Sequence, residues 1–229
     1  MDALNLLSWG STGWLDEIAY GVLVTIALAL CTAPLAMVLG FSAALARQSE
    51  HVELRAASRL YTTIFRALPE LVTLFLIFFG LPLLLQALGF DVGVPTFLAG
   101  WLALGLTLGA YVAEVLKSAF RAIPQGQYEG ADALGLRRSR TMMLVIAPQL
   151  FRIALPGLSN LWVILLKDTA LVSTIGLSET LRQVGVASRV TKEPFLFFGL
   201  ACAIYLVLTL SSVAFLNRVD ERLGQSGAR

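Results

Sequence analysis

The segment EGADALGLRRSRTMMLVIAP, residues 129–148, decides the fold, because it is polar and basic and lies between two long apolar stretches. It belongs to a connection of roughly 26 residues, 121–146, which is long for a linker without structure of its own. Within this connection Pro124 can begin a helix, and Gly135 can end one. The connection is therefore predicted to contain a short helix.

The residues of this short helix indicate two faces. Tyr128, Ala131 and Leu134 fall at helical spacing, and Glu129 and Asp132 lie beside them in the early turns, where carboxylates complement the helix dipole. Such a helix can dock in a groove of a partner protein. The alternative is a basic loop that only obeys the positive-inside rule, and the residues alone favour it, because short loop patterns often arise by chance. The basic residues that follow are Arg137, Arg138 and Arg140.

Composition places the rest of the chain in a lipid bilayer. Hydrophobic residues make up 57% of the 229 residues, and the mean hydropathy is +0.78, well above that of an ordinary soluble domain. The net charge of +2 gives no reason to expect a nucleic-acid partner. We therefore predict an all-α integral membrane protein with about five transmembrane helices.

The apolar runs divide a single transmembrane domain, residues 1–229, into five predicted spans. Each run is long enough, because about 20 residues cross the hydrocarbon core. The predicted spans cover residues 18–46, 61–88, 96–120, 147–177 and 195–217, with residues 61–67 as an amphipathic lead-in to the second. The intervening residues, 121–146 among them, are predicted to be polar connections.

Lysine and arginine are concentrated on one side of these spans. Segments 47–59 and 121–146 and the tail after residue 217 carry ten of them, whereas segments 1–17 and 89–95 carry none and segment 178–194 carries three. The positive-inside rule then predicts an outside N-terminus, a cytoplasmic C-terminus and a cytoplasmic 121–146 connection. Segment 1–17 also lacks the basic n-region of a signal peptide, so the first apolar run is expected to remain in the membrane.

The sequence lacks motifs for catalysis, metal binding and nucleotide binding. His51 is the single histidine, and neither HExxH, GxSxG nor GxxxxGK[S/T] occurs. Cys31 and Cys202 lie in apolar runs and are predicted to be buried as small apolar residues. We therefore expect no enzyme activity, no metal and no cofactor bound by this chain. Five unrepeated spans argue against a secondary transporter, while a non-transporting membrane scaffold stays open as an alternative.

Residues 110–177, from AYVAEVLK to STIGL, resemble the membrane permease subunits of ABC importers. The closest resemblance is to the polar amino acid group, with its histidine, arginine, ornithine and opine permeases. The family motif, Glu-Ala-Ala, three residues, Gly, nine residues, Ile, one residue and Leu-Pro, maps onto Glu129, Gly130, Ala131, Gly135, Val145, Ala147 and Pro148. Gly130, Val145 and Ala147 depart from it but stay small or apolar. The run FRALPELVTLFLIFFGLP, residues 65–82, resembles the second-span signature Phe-Arg-Gly-x-Pro, with Ala67 in place of Gly.

The resemblance, which covers about residues 18–215, implies an ABC type I importer permease fold and a set of partners. Two permease subunits, identical or paralogous, would form the pathway in a bacterial inner membrane. Two cytoplasmic ATPase subunits would bind ATP and grip the short helix, and a soluble binding protein would deliver substrate from outside. Import would proceed by alternating access, biased by ATP binding and hydrolysis. The residues implied in ATPase coupling are Glu129, Gly130, Ala131, Gly135 and Pro148.

Charged residues inside the predicted spans are candidates for the substrate pathway, because a charge at the bilayer centre costs about 2.5–3.5 kcal/mol on insertion scales. Lys167 and Asp168 either line or gate the pathway, or pair with other helices near the outer boundary; the resemblance favours an architectural or gating role. Glu70 either attracts a cationic substrate or pairs with Arg66 one helical turn earlier, and the pair is favoured.

Two further patterns in the third predicted span have structural explanations. Glu114 and Lys117 are spaced for a local ion pair. Gly100, Gly105 and Gly109 place small residues near every fourth position, which suits close helix packing.

Asn160 lies in mid-span after Pro156 and Gly157, where the backbone is loosened. It is predicted either to hydrogen-bond another helix or to contact the ligand. The resemblance adds that some basic amino acid permeases carry Glu next, where this chain has Leu161. Either the ligand is less basic than arginine, or this subunit is the non-binding half of a heterodimer, and the second is favoured.

Overall fold

The computed structural model describes residues 6–10 and 13–225. Residues 1–5, 11–12 and 226–229 of the predicted 1–229 domain lie outside the described residues. From residue 15 onward eight helices follow one another, and five are long and apolar enough to cross a membrane, which confirms the predicted number. The spans are α1 (Leu15–Gln48), α3 (Glu70–Ala87), α4 (Thr96–Ala122), α6 (Arg138–Ile175) and α8 (Pro194–Gln225), and the shorter helices are α2 (Val52–Ala67), α5 (Gln125–Ala133) and α7 (Thr180–Thr191).

Helix α4 forms the centre of the bundle. In its most apolar window 61% of the residues are buried, against 28% or less in the other four spans. Small residues allow this: a Cβ atom added at Gly40 of α1 would lie 2.8 Å from the carbonyl oxygen of Gly109, and one at Gly100 would lie 2.6 Å from Val172 Cγ1. The packing role predicted for the α4 glycines is thus confirmed, because their neighbours occupy the space of a side chain.

The outside of the bundle is apolar, as a bilayer requires. Only 11% of the most apolar window is buried in α3 and in α8. Cys31 and Cys202 are exposed on this outer surface. The prediction that they are buried is wrong, because an apolar run in a membrane protein can face lipid as well as a protein core.

Two segments predicted to be polar connections contain helices instead. Helix α2 occupies residues 52–67, and the second span begins only at Glu70, because Pro69 interrupts the helix between them. The buried side of α2 is polar: Ser58 Oγ donates to the carbonyl oxygen of Ala43 at 2.7 Å. The apolar residues Val52, Leu60 and Ile64 of this helix are exposed instead. Helix α7 likewise lies within segment 178–194.

Helix α6 starts before the predicted boundary at residue 147. It runs from Arg138 through a π-helical turn, Met142–Ile146, into regular α-helix up to Asp168. A 3-10 segment, Thr169–Ile175, follows and stops at Gly176, whose φ of +99° is left-handed. Polar residues near Arg138 therefore extend the fourth span toward α5. We call this end of the bundle the α5 end.

Candidate functional site

Helix α5 has the start and the stop predicted for it. Pro124 occupies the N-cap with φ of −60°, and the helix ends in a Schellman motif at Gly135, whose φ is +69°. The N–H of Gly135 donates to the carbonyl oxygen of Asp132 at 2.9 Å, and the N–H of Leu136 donates to that of Ala131 at 3.1 Å. Glycine adopts this left-handed conformation without steric cost, so Gly135 fixes the point where the chain turns back to α6.

One face of α5 packs on the start of α6. Ala131 is buried, and Tyr128 is half-buried against the apolar core, where burial raises the pKa of its phenol. On the α6 side Gln149 Nε2 donates to Gln127 Oε1 at 3.0 Å and to the carbonyl oxygen of Val145 at 2.8 Å. The helix is therefore attached to the span that follows it.

The other face of α5 is open to a partner. Glu129 and Gly130 are exposed, as are Gly135 and, on α6, Pro148. Leu134, at helical spacing from Tyr128 and Ala131, is 81% exposed, because the helix ends there. Of the residues implied in ATPase coupling, Ala131 alone faces inward.

A cluster of charges lies between α1, α2 and α4. Arg47 Nη2 is 3.0 Å from Glu114 Oε1, and Lys117 Nζ donates to Glu114 Oε2 at 2.8 Å. The predicted Glu114–Lys117 pair is confirmed. The predicted Arg66–Glu70 pair is wrong: Arg66 Nη1 lies 3.7 Å from Glu114 instead. Sequence spacing identifies i,i+3 pairs but not partners on other helices, which is why the rest of this cluster was missed.

An open cavity of about 490 Å³ extends from this cluster along α4 and α6. Arg66, Tyr111 and Glu114 line its polar side, and Gly157 and Leu161 line its apolar side. Leu161 thus lies at a cavity, as a substrate-pathway residue would. Asn160 is exposed on the same stretch of α6.

The other pathway candidates form a separate group. Glu70, at the start of α3, is half-buried, and none of Glu70, Lys167 and Asp168 lines the cavity beside Leu161. Asp168 is half-buried and Lys167 exposed at the end of the α-helical part of α6. The structure therefore divides the predicted pathway residues between this group and the cavity beside Leu161.

Sequence reasoning missed Glu179, which is fully buried at the start of α7. Its carboxylate accepts hydrogen bonds from the N–H groups of Leu181 at 2.9 Å and Arg182 at 2.7 Å. It also accepts from Tyr205 Oη of α8 at 3.0 Å and Thr25 Oγ1 of α1 at 3.4 Å. Burial raises the pKa of Glu179, and the two N–H groups partly counter that effect. Glutamate is not a preferred N-cap residue, so the sequence offers no local signal for this site.

The fold and this geometry define a class: a multi-span membrane protein that presents an attached, partly exposed helix at one end of its bundle. The chain belongs to the family described as binding-protein-dependent transport system inner membrane components, whose family model matches residues 36–225.

Individual relatives match nearly the whole chain. The nopaline transport system permease protein NocQ of Agrobacterium fabrum is 38% identical, covering 99% of this chain and 98% of its own. The histidine/lysine/arginine/ornithine transport system permease protein HisQ of Salmonella typhimurium is 37% identical over 92% of this chain and 94% of its own. Among solved structures, a chain from the crystal structure of an amino acid ABC transporter with histidines superposes with a TM-score of 0.79. It is 30% identical and covers 93% of this chain and all of its own. The resemblance to ABC importer permeases is therefore confirmed.

Proposed function

We propose that this chain is the membrane-spanning permease subunit of an ATP-driven, binding-protein-dependent importer of polar amino acids, either basic ones or opines. The observation that carries the proposal is the end-to-end similarity to permeases named for nopaline and for histidine, lysine, arginine and ornithine. The exposed Glu129–Gly130 face of α5 supports it, because a permease without a nucleotide motif of its own needs a surface for an ATPase.

The proposed complex contains two such permease subunits, two ATPase subunits on the α5 end and a soluble binding protein at the opposite end. ATP would bind to the ATPase subunits, with the α5 end in the cytoplasm and the N-terminus outside. Movement of the ATPases would reach the bundle through α5 and its contact with α6, since Gln127 and Gln149 join them. The bundle would then alternate between outward and inward openings.

Two features bear on the substrate. In the proposed pathway the half-buried carboxylates of Glu70 and Asp168 would attract a cationic ligand. The cavity next to α6, by contrast, presents Leu161 where some basic amino acid permeases carry Glu. Its lining carboxylate, Glu114, already pairs with Arg47 and Lys117. These two features are compatible if the permease is a heterodimer whose second subunit supplies the acid. We favour this explanation over the alternative that the ligand is less basic than arginine.

The proposal is tested by reconstituting the chain with its partner permease, ATPase and binding protein in vesicles. ATP-dependent uptake of radiolabelled arginine, histidine, octopine and nopaline is then measured. Uptake of at least one of them is expected. Glu129→Lys should lower that uptake by about tenfold or more, because a reversed charge at a docking surface typically costs one or more kcal/mol.

Glu221→Lys is the matched control. Glu221 is an exposed carboxylate near the end of α8, outside α5 and α6, and its reversal should leave uptake unchanged. Full uptake by the Glu129→Lys variant would contradict coupling through α5. Absence of ATP-dependent uptake of all four compounds would leave the scaffold alternative.

A further inference from the structure

A second polar cavity, of about 430 Å³, opens where α1, α2 and α4 meet at the α5 end of the bundle. Four cationic side chains line it, and none of its described lining residues is acidic. We call it the basic pocket. Its lining consists of Arg47, Arg59, Lys117 and Arg121 with Ala44, Gln48 and Phe120.

The charge of the basic pocket is not neutralised by the part of the chain that the structure describes. Glu114, just outside it, pairs with Arg47 and Lys117 and can supply a single negative charge. No carboxylate of the described residues lies within 4 Å of Arg59 or Arg121. The Nε of Arg47 is buried and has no hydrogen-bond partner among the described atoms. Several donors therefore remain for an anion.

The basic pocket lies at the depth of lipid headgroups. Arg47 is in the last turn of α1 and Arg121 in the last turn of α4, where both apolar spans give way to polar segments. On α2 next to it an apolar stripe faces outward: Val52 and Leu60 are each 63% exposed and Ile64 is 41% exposed. These positions are multiples of four residues apart and so share one side of the helix. A stripe of this kind is stable against acyl chains rather than water.

We propose that the basic pocket binds the phosphate of an anionic phospholipid from the leaflet at the α5 end, with the acyl chains along the α2 stripe. Arginine binds phosphate oxygens through two parallel N–H groups, and Arg59 and Arg121 have these free. Basic pockets between transmembrane helices commonly bind anionic headgroups in this way. Dissolved phosphate shares the charge but would leave the stripe uncovered. The proposal does not depend on the transported substrate.

The experiment uses the purified protein in detergent with its partner subunits. Phosphatidylglycerol, phosphatidylcholine or inorganic phosphate is titrated in, and bound lipid is counted by native mass spectrometry. Of the three compounds, we expect only phosphatidylglycerol to bind saturably. In an Arg59→Gln/Arg121→Gln variant its affinity should fall by about tenfold or more, because two charge-assisted phosphate contacts are lost.

Two further variants make the result specific. Arg218→Gln removes an exposed arginine near the same end on α8, outside the basic pocket, and should bind the lipid normally. Arg59→Lys/Arg121→Lys keeps both charges but lacks the paired N–H groups, so its lipid affinity should lie between those of the glutamine variant and the wild-type protein. This variant also carries the test if the glutamine variant folds poorly. Equal lipid affinity in the glutamine and wild-type proteins would overturn the proposal. Competition of inorganic phosphate with the bound lipid would also overturn it. The same holds if the glutamine variant loses ATPase binding while its lipid binding stays intact.

Discussion

At Gly135 the backbone has a φ of +69°, and an added Cβ would meet nothing within 4 Å, so the effect of a substitution depends on backbone conformation alone. Gly135→Val should cost about 1–2 kcal/mol and shift the end of α5, because a β-branched residue is strained in the left-handed region. Gly135→Asn should be tolerated, since asparagine adopts that region more readily. ATP-dependent uptake in vesicles is the measurement, and equal uptake by both variants would contradict the argument.

Glu179 is a second residue whose substitution should destabilise the protein. Glu179→Gln replaces an acceptor of four hydrogen bonds by an amide whose NH2 group would face donors. A destabilisation of about 1–3 kcal/mol is expected, since buried donors are left unsatisfied. Thermal unfolding in detergent micelles measures it. Glu193→Gln, at an exposed carboxyl just after α7, should leave the unfolding temperature unchanged; a similar drop in both would argue against the buried hydrogen bonds as the cause.

At the scale of elements, the contact between α1 and α4 depends on the absence of side chains. Gly40→Ala should destabilise the protein by about 1–3 kcal/mol, because the new Cβ would lie 2.8 Å from the backbone oxygen of Gly109, which cannot move aside alone. Gly199→Ala on α8 meets nothing within 4 Å and should have no such effect. Unfolding temperatures of the two variants in the same detergent test this. Equal values would mean that the two helices can separate freely.

The same scale shows what sequence could predict. The spans and α5 follow from apolar length and from Pro124 and Gly135, which are local signals. The first part of α2, residues 52–60, was missed because its polar residues, Glu53 and Arg55 among them, were interpreted as a connection, whereas residues 61–67 were predicted as an amphipathic lead-in. The Glu114 cluster and the Glu179 site join helices far apart in sequence, and which helices become neighbours is decided by packing, not by local pattern. The assignment of α5 to ATPase coupling came from the family resemblance and stays a prediction.

At the scale of the whole molecule, α1, α4 and α6 share one apolar core, which includes Leu28, Leu104 and Leu165. A second core joins α1, α7 and α8 through Ile18, Val184 and Phe197. Close-packed cores rearrange between discrete states rather than deform gradually. We therefore expect alternating access to move these helices as one unit against the second permease, with α5 transmitting the movement.

Helix α4, the most buried of the five spans, also sets an order of opening. Its amide groups can meet solvent only after the neighbouring helices have separated, whereas α3 and α8 rely on lipid for cover. In hydrogen–deuterium exchange, peptides from residues 99–113 should take up label last, in step with global unfolding. Stripping lipid should accelerate exchange in α3 and α8 well before it reaches α4. Exchange in α4 would then report whether the entire subunit is folded, and early labelling there would mean that the bundle opens first at its centre.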